Sequence, residues 1–176
     1  MEIFLIIAIV VVIAILVILF ITSYNKYQIA LIKISEACEN IDILLYKKME
    51  LVTNINNIIE EKKEKKKIDI DDTIHEGQLS TFELNKKLNG YSNEILEIVE
   101  YNKDVKFNDD EMKLVEELKK YNNDLLGAEK YYNVNVVEYN KLVKCFPSNI
   151  VGKIKRYKLK EFYSNEKEET FELLKK

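Results

Sequence analysis

Residues that break helices are nearly missing from this chain. Its 176 residues include one proline, Pro147, and four glycines. A sequence so poor in turn-formers reads as long helices with few interruptions. Histidine is scarcer still, with His75 alone. One histidine excludes a carboxylate-bridged di-iron bundle, which needs two Glu-x-x-His units, and leaves no Cys/His cluster for zinc. His75 itself reads as a surface histidine at a helix start. The only cysteines, Cys38 and Cys145, lie too far apart for a metal spacing or a disulfide framework. Both fall on or beside apolar helical positions, where a free thiol acts as a small hydrophobe. Neither has a nearby histidine in sequence to activate it as a nucleophile. Four scattered glycines make no phosphate-binding loop. No cofactor, no metal and no enzymatic activity are expected. A net charge of −3 gives no global attraction to nucleic acid.

What is present begins with residues 3–21, which hold no charge, no polar side chain, no glycine and no proline. At the α-helical rise this run spans about 28 Å, close to the ~30 Å hydrocarbon core of a bilayer. A cleaved signal peptide would carry a basic start, a shorter apolar core and a small-residue cleavage site. The start here is Met1-Glu2, and residues 21–25 supply no such site. A helix apolar on every face would need a protein shell all round to be a core helix. The expectation is an uncleaved transmembrane anchor, residues 1–23. Lys26, Lys33, Lys47 and Lys48 all follow the span and no base precedes it. That asymmetry places the large domain in the cytoplasm.

From residue 24 to about 61 the helix continues past the membrane. Its apolar stripe reads Tyr27, Leu31, Ile34, Cys38, Ile41, Leu45, Lys48, Val52, Ile55, Ile59, a four-three alternation interrupted only by Lys48. Residues 60–67 mix both signs and read as a solvated helix end or loop. A turn is expected at 68–72, with Asp72 or Thr73 capping a second helix over 73–101. Its stripe is Ile74, Thr81, Leu84, Leu88, Tyr91, Ile95, Ile98, with Gly90 as a weak point. A loop over 102–108 leads to a third helix of roughly 38 residues. It opens on Asn108 with Glu111 three residues on, the pattern of a capping box. The stripe Leu114, Leu118, Tyr121, Leu125, Ala128, Tyr132, Asn135, Tyr139, Leu142, Phe146 runs to Pro147, which ends it. A short fourth helix is expected over 149–157. Residues 164–176 form a charged tail that frays. Narrow stripes on long helices must be buried against one another. The fold class is therefore all-α: the transmembrane helix continues into an elongated antiparallel bundle of three long helices plus a short C-terminal one, over residues 24–163.

Two polar features stand out. Tyr132-Asn133 and Tyr139-Asn140 repeat at a spacing of seven, so they share faces of the third helix. One reading is a ligand-facing strip. The other, preferred, puts the tyrosines in the seam and uses the asparagines to fix register against other helices, as a buried Asn does in coiled coils. Asp42 is the foremost partner on the first helix, and Asn54 joins the same polar set. The second feature is the basic cluster Lys153, Lys155, Arg156, Lys158 and Lys160. It reads as a solvated helix end, or as a contact for anionic lipid or an acidic partner.

The C-terminal third resembles a known group. Tyr132-Asn133, Val136, Tyr139-Asn140, Phe146-Pro147-Ser148-Asn149, Ile150-Val151 and Phe162 are similar to the signature of the LemA family of small membrane-anchored bacterial proteins. Tyr24-Asn25 falls where that family has a juxtamembrane Tyr-Asn, and Ile41-Asp42, Leu45, Lys47-Lys48, Leu51 and Asn54 resemble its next stretch. Departures accompany the match. Lys47 and Lys48 replace paired arginines, Thr53 a proline, and Gly152 the signature's closing alanine. Glu129 stands where an arginine is usual and Asn122 where a glutamate is usual. His75-Glu76 lies out of register with the family's His-Glu. The resemblance implies an all-helical, elongated bundle on a membrane anchor, and no established reaction, substrate or cofactor.

The function expected is a non-enzymatic, single-pass membrane-anchored scaffold or protein-interaction module of the bacterial envelope. It contacts the bilayer through residues 3–21, binds a protein partner, and leaves self-association open. The alternative is a membrane-tethered sensor or ligand-binding bundle; a parallel coiled-coil stalk is a third reading.

Overall fold

The computed structural model describes residues 1–62, 68–74, 77, 79–101 and 105–163. His75, residues 63–67 of the mixed-charge run and the charged tail at 164–176 lie outside the described residues. The fold is an all-helical bundle. Its elements are α1 (Glu2–Lys62), α2 (Thr81–Tyr101), α3 (Asp109–Lys144) and the short α4 (Ser148–Ile154), with a 3-10 turn at Asp72–Ile74. The chain groups into two compact units. One is Met1–Ala37 with Tyr131–Lys176, here the terminal unit; the other is Cys38–Lys130, the middle unit. α1 and α3 each contribute residues to both units.

α1 runs for 61 residues without a break. Its first 22 residues are exposed and burial begins at Ser23. The buried seam then reads Tyr27, Ala30, Ile34, Ala37, Ile41, Leu45, Lys48, Val52, Ile55, Ile59. The alternation expected is there, but Ala30 and Ala37 take the places given to Leu31 and Cys38. Small side chains let a neighbour approach closely, and the larger residue beside each flanks the seam or faces out. Lys48 does not interrupt the seam; it lies inside it, fully buried.

α2 starts eight residues later than the stripe suggested. Ser80 and Glu83 form a capping box: the Ser80 backbone N–H donates to Glu83 Oε2 (3.1 Å) and the Glu83 N–H donates to Ser80 Oγ (3.2 Å). Gly77 adopts φ +66°, a left-handed conformation open to glycine, so helix does not continue from Ile74. Gly90 causes no break. The buried face of α2 is Asn85, Leu88, Ser92, Ile95, one residue round from the apolar stripe in two places.

The late start changes the direction of α2. Within the middle unit, Asp42 accepts from Thr81 (3.3 Å) and Lys48 reaches Asn89 (2.5 Å), so α1 and α2 run the same way. Lys47 lies over the Tyr121 ring (5.7 Å) and Lys62 pairs with Glu111 (2.7 Å), so α3 is antiparallel to α1. α3 thus runs antiparallel to both α1 and α2 in the bundle. The described residues 68–74 lie back along α1, with Ile68 beside Asn56 and Ile74 bordering a groove with Leu45 and Met49. Asn56 pins that return by holding both backbone groups of Ile68 (Nδ2 to O 3.0 Å; N to Oδ1 2.9 Å). α3 opens on the expected box, with Asn108 N–H donating to Glu111 Oε2 (2.7 Å) and Glu111 N–H to Asn108 Oδ1 (2.9 Å).

Candidate functional site

The terminal unit carries most of the polar residues singled out in the sequence. Its core is Tyr27, Ala30 and Ile34 of α1, Val136 and Tyr139 of α3, and Val151 of α4. The last carbonyls of any helix lack an intrahelical donor. Here the side chain of α1 supplies one: Tyr27 Oη donates to the Leu142 carbonyl at 2.6 Å, and Ser148 Oγ donates to the same carbonyl at 2.9 Å. Burial, then the charges of Tyr139 and Tyr157, push the Tyr27 phenol above its ordinary value. It therefore stays protonated, as the donor role requires. The Tyr27 ring packs edge-on to Tyr139 (5.8 Å between centres) and tilted against Tyr157 (4.7 Å).

Gly152 lets α4 come this close. A Cβ there would lie 2.5 Å from Tyr27 Oη. α4 ends in a Schellman turn: Tyr157 N–H donates to Gly152 O (2.9 Å), Arg156 N–H donates to Lys153 O (3.2 Å), and Arg156 takes φ +56°. The turn aims Tyr157 back at Tyr27, where Gln28 Nε2 donates to its hydroxyl (2.9 Å).

Beyond α4 the chain runs back along α3, and the two Tyr-Asn pairs hold it. Asn140 grips the backbone of Lys160 from both sides (Nδ2 to O 2.9 Å; N to Oδ1 2.9 Å). Asn133 Oδ1 accepts from the Tyr163 N–H (2.7 Å), and Tyr132 Oη donates to the Glu161 carbonyl (3.2 Å). The spacing fits. Seven helical residues rise about 10.5 Å, and three extended residues, 160 to 163, cover about 10 Å. The asparagines thus meet an extended segment rather than another helix. The physical reason is that a carboxamide reproduces the donor and acceptor of a peptide group and pairs with any free backbone. Tyr139 fills the seam as expected, while Tyr132 is half-buried beside Tyr163.

Asp42 and Asn54 are not brought to this cluster. Both belong to the middle unit. Asp42 borders a groove of about 280 Å³ with Tyr46, Ile74 and Leu84. Asn54 is exposed, and the clamp in this stretch is made by Asn56 instead. Of the basic cluster, Lys153, Lys155, Arg156 and Lys158 are exposed, and Lys160 is half-buried. Among the described residues no three His, Cys, Asp or Glu side chains gather where a metal could be held.

A sequence model of the LemA family matches residues 37–173. The chain belongs to the LemA family. No match was found among curated proteins or among solved structures. The LemA match begins on the last residue of the terminal unit's share of α1, and residues 1–36 precede it.

Of the LemA departures noted in the sequence, Gly152 lies in the terminal unit, while Lys48, Asn122 and Glu129 lie in the middle unit. Glu129 accepts from Asn85 Nδ2 (2.6 Å) and Asn122 Nδ2 donates to Ser92 Oγ (2.8 Å). Seven residues separate each pair on its own helix, so these are two rungs between antiparallel α2 and α3. Burial lowers the Lys48 amine from 10.5 to about 8, opposed by the nearby negative charge of Glu129. Burial in turn raises Glu129, against the pull of Asn85 and Lys48. The oxygens of Asn85 and Asn122 are buried without a partner. Asn85 and Ser92 were readable as a four-three seam with Thr81, Leu88 and Ile95. Searching for apolar residues alone draws the stripe to Leu84 and Tyr91.

Proposed function

We propose that this LemA-family chain is a non-enzymatic scaffold, tethered to the bacterial cell membrane by one span and presenting its helical units to a protein partner in the cytoplasm. The observation that carries the reading is the course of α1. Its first 22 residues are apolar but for Glu2 and the span-end Thr22, and they are exposed throughout; burial then starts at Ser23, two residues beyond the apolar run's end. An exposed apolar helix of that length is long enough to cross a bilayer. In the terminal unit the Tyr27 hydroxyl and the Asn133 and Asn140 carboxamides bind backbone rather than line a reaction pocket.

In-cell photo-crosslinking tests the scaffold. A crosslinker at exposed Tyr46 should capture the same protein neighbour repeatedly. A thermal-shift screen of the detergent-solubilised full chain against small molecules should leave melting unchanged. A reproducible ligand-dependent shift would replace this reading with a membrane-tethered sensor.

A further inference from the structure

We propose that the corner between α3 and α4 is a second membrane contact: Phe146, Ile150 and Ile154 enter the interface of an anionic leaflet, and the bases around them bind its phosphates. The inference rests on the reading that residues 3–21 cross that bilayer.

Position is the first argument. Tyr24 and Tyr27 lie three and six residues beyond Ile21, within about 9 Å of the end of the apolar run by helical rise. α4 is fixed at that level. Gly152 lies against the Tyr27 hydroxyl, and Lys155 Nζ stands 5.3 Å from the centre of the Tyr24 ring. α4 is therefore held within two helical turns of the hydrocarbon edge.

The second argument is which side chains α4 leaves uncovered. Ser148, Val151 and Gly152 face the protein. Ile150 and Ile154, one turn apart on the opposite face, are 50% and 63% exposed, and Phe146 just before them is 77% exposed. Scattered apolar residues on a surface need no explanation, but three bulky ones on one corner do. Phe146 was expected in the seam of α3; that helix ends two residues earlier, at Lys144, and leaves the ring outside.

Charge is the third argument. From residue 139 to 160 there is no Asp or Glu, while Lys141, Lys144, Lys153, Lys155, Arg156, Lys158 and Lys160 all fall there, in a chain of net charge −3. Bulky apolar residues flanked by bases form the pattern of a helix lying in a bilayer interface. Bases near an anionic surface add attraction that neutral lipid does not supply.

The sequence contains no tryptophan, so Phe146→Trp introduces a single indole. The full chain carrying it is reconstituted into vesicles of equal parts phosphatidylcholine and phosphatidylglycerol, brominated high on their acyl chains. Co-flotation with the vesicles reports the spanning reading by itself. In floated protein the indole should emit to the blue and lose most of its intensity to bromine. The same substitution at exposed Tyr131 of α3 should lose little. Vesicles of phosphatidylcholine alone, or reversal of Lys153, Arg156 and Lys158 to Glu, should restore most of the emission without changing flotation. Ile150→Trp repeats the measurement if Phe146→Trp lowers helix content.

A floated protein whose indole stays bright and water-exposed overturns the inference and leaves the span intact. An indole shielded from water but unquenched marks a protein contact and overturns it as well. Protein that does not float overturns the spanning reading, and this inference with it.

Discussion

Tyr27 and Lys48 lie twenty-one residues apart on α1, three heptads along one seam, and both are fully buried. Around Tyr27, in the terminal unit, polar groups end on backbone: a helix-end carbonyl and the peptide groups of residues 160, 161 and 163. Around Lys48, in the middle unit, they end on other side chains, two of them ionisable groups pushed toward neutrality by burial. The difference teaches what each polar set does. Backbone-directed bonds satisfy groups that would otherwise be orphaned, so they stabilise and fix the course of the C-terminal segment. A buried charge is desolvated at a cost its partners offset only in part, so it is a weak source of stability and a plausible source of register.

The sharpest contrast is in pH. The folded Lys48 amine titrates at about 8 against 10.5 when free. Between those values the unfolded chain binds a proton that the folded chain has released, so stability of the middle unit rises with pH across that window. The span of the shift corresponds to about 3 kcal/mol. Amide exchange in Leu45 and Leu118 should slow from pH 8 to 10.5 after correction for intrinsic rates. Lys48→Met should abolish that slowing and raise stability at pH 7 by about 1–3 kcal/mol. Loss of stability in Lys48→Met at every pH would mean that the charge is a net stabiliser and would erase the contrast.

Gly152→Ala tests the terminal unit. Its Cβ would press on Tyr27 Oη, and overpacking of this kind costs about 2 kcal/mol. Tyr27→Phe alone should cost about 1 kcal/mol through the lost bond to Leu142. Added to Gly152→Ala, it should recover part of the loss, because the clashing atom is gone. Strict additivity in thermal melts would show that the two groups do not touch.

Asn140→Ala removes both bonds to Lys160 and should cost about 1–2 kcal/mol, with loss of exchange protection at the Lys160 amide. Asn54→Ala, at an exposed side chain, should change melting by less than about 0.5 kcal/mol. Equal effects would mean that the clamp carries no weight. One substitution should be a gain. Arg156 occupies a left-handed position at the end of α4, where glycine carries no Cβ penalty, so Arg156→Gly should stabilise by about 1 kcal/mol.

Much of this architecture was legible in the amino-acid order, unevenly. The Asn108 box and the seam through Ile34, Ile41 and Leu45 are local signals that read well, while α3 stops at Lys144, three residues short of Pro147. The Ser80 box is equally local, but the apolar stripe reaches back to Ile74 and points to an earlier start. Lys48 holds its place in the stripe but reads as an interruption, and Asn85 and Ser92 escape it, because a seam residue is recognised by being apolar. The clamps at Asn56 and Asn140 pair with backbone 12 and 20 residues away, and backbone has no sequence signature.

Most directly, the central claim concerns the head of α1. Membranes of cells producing the full chain can be washed with alkaline carbonate, and the retained protein weighed intact by mass spectrometry. The account predicts retention in the pellet with residues 1–23 still attached. Release into the wash, or a mature product that begins after the apolar run, would contradict it.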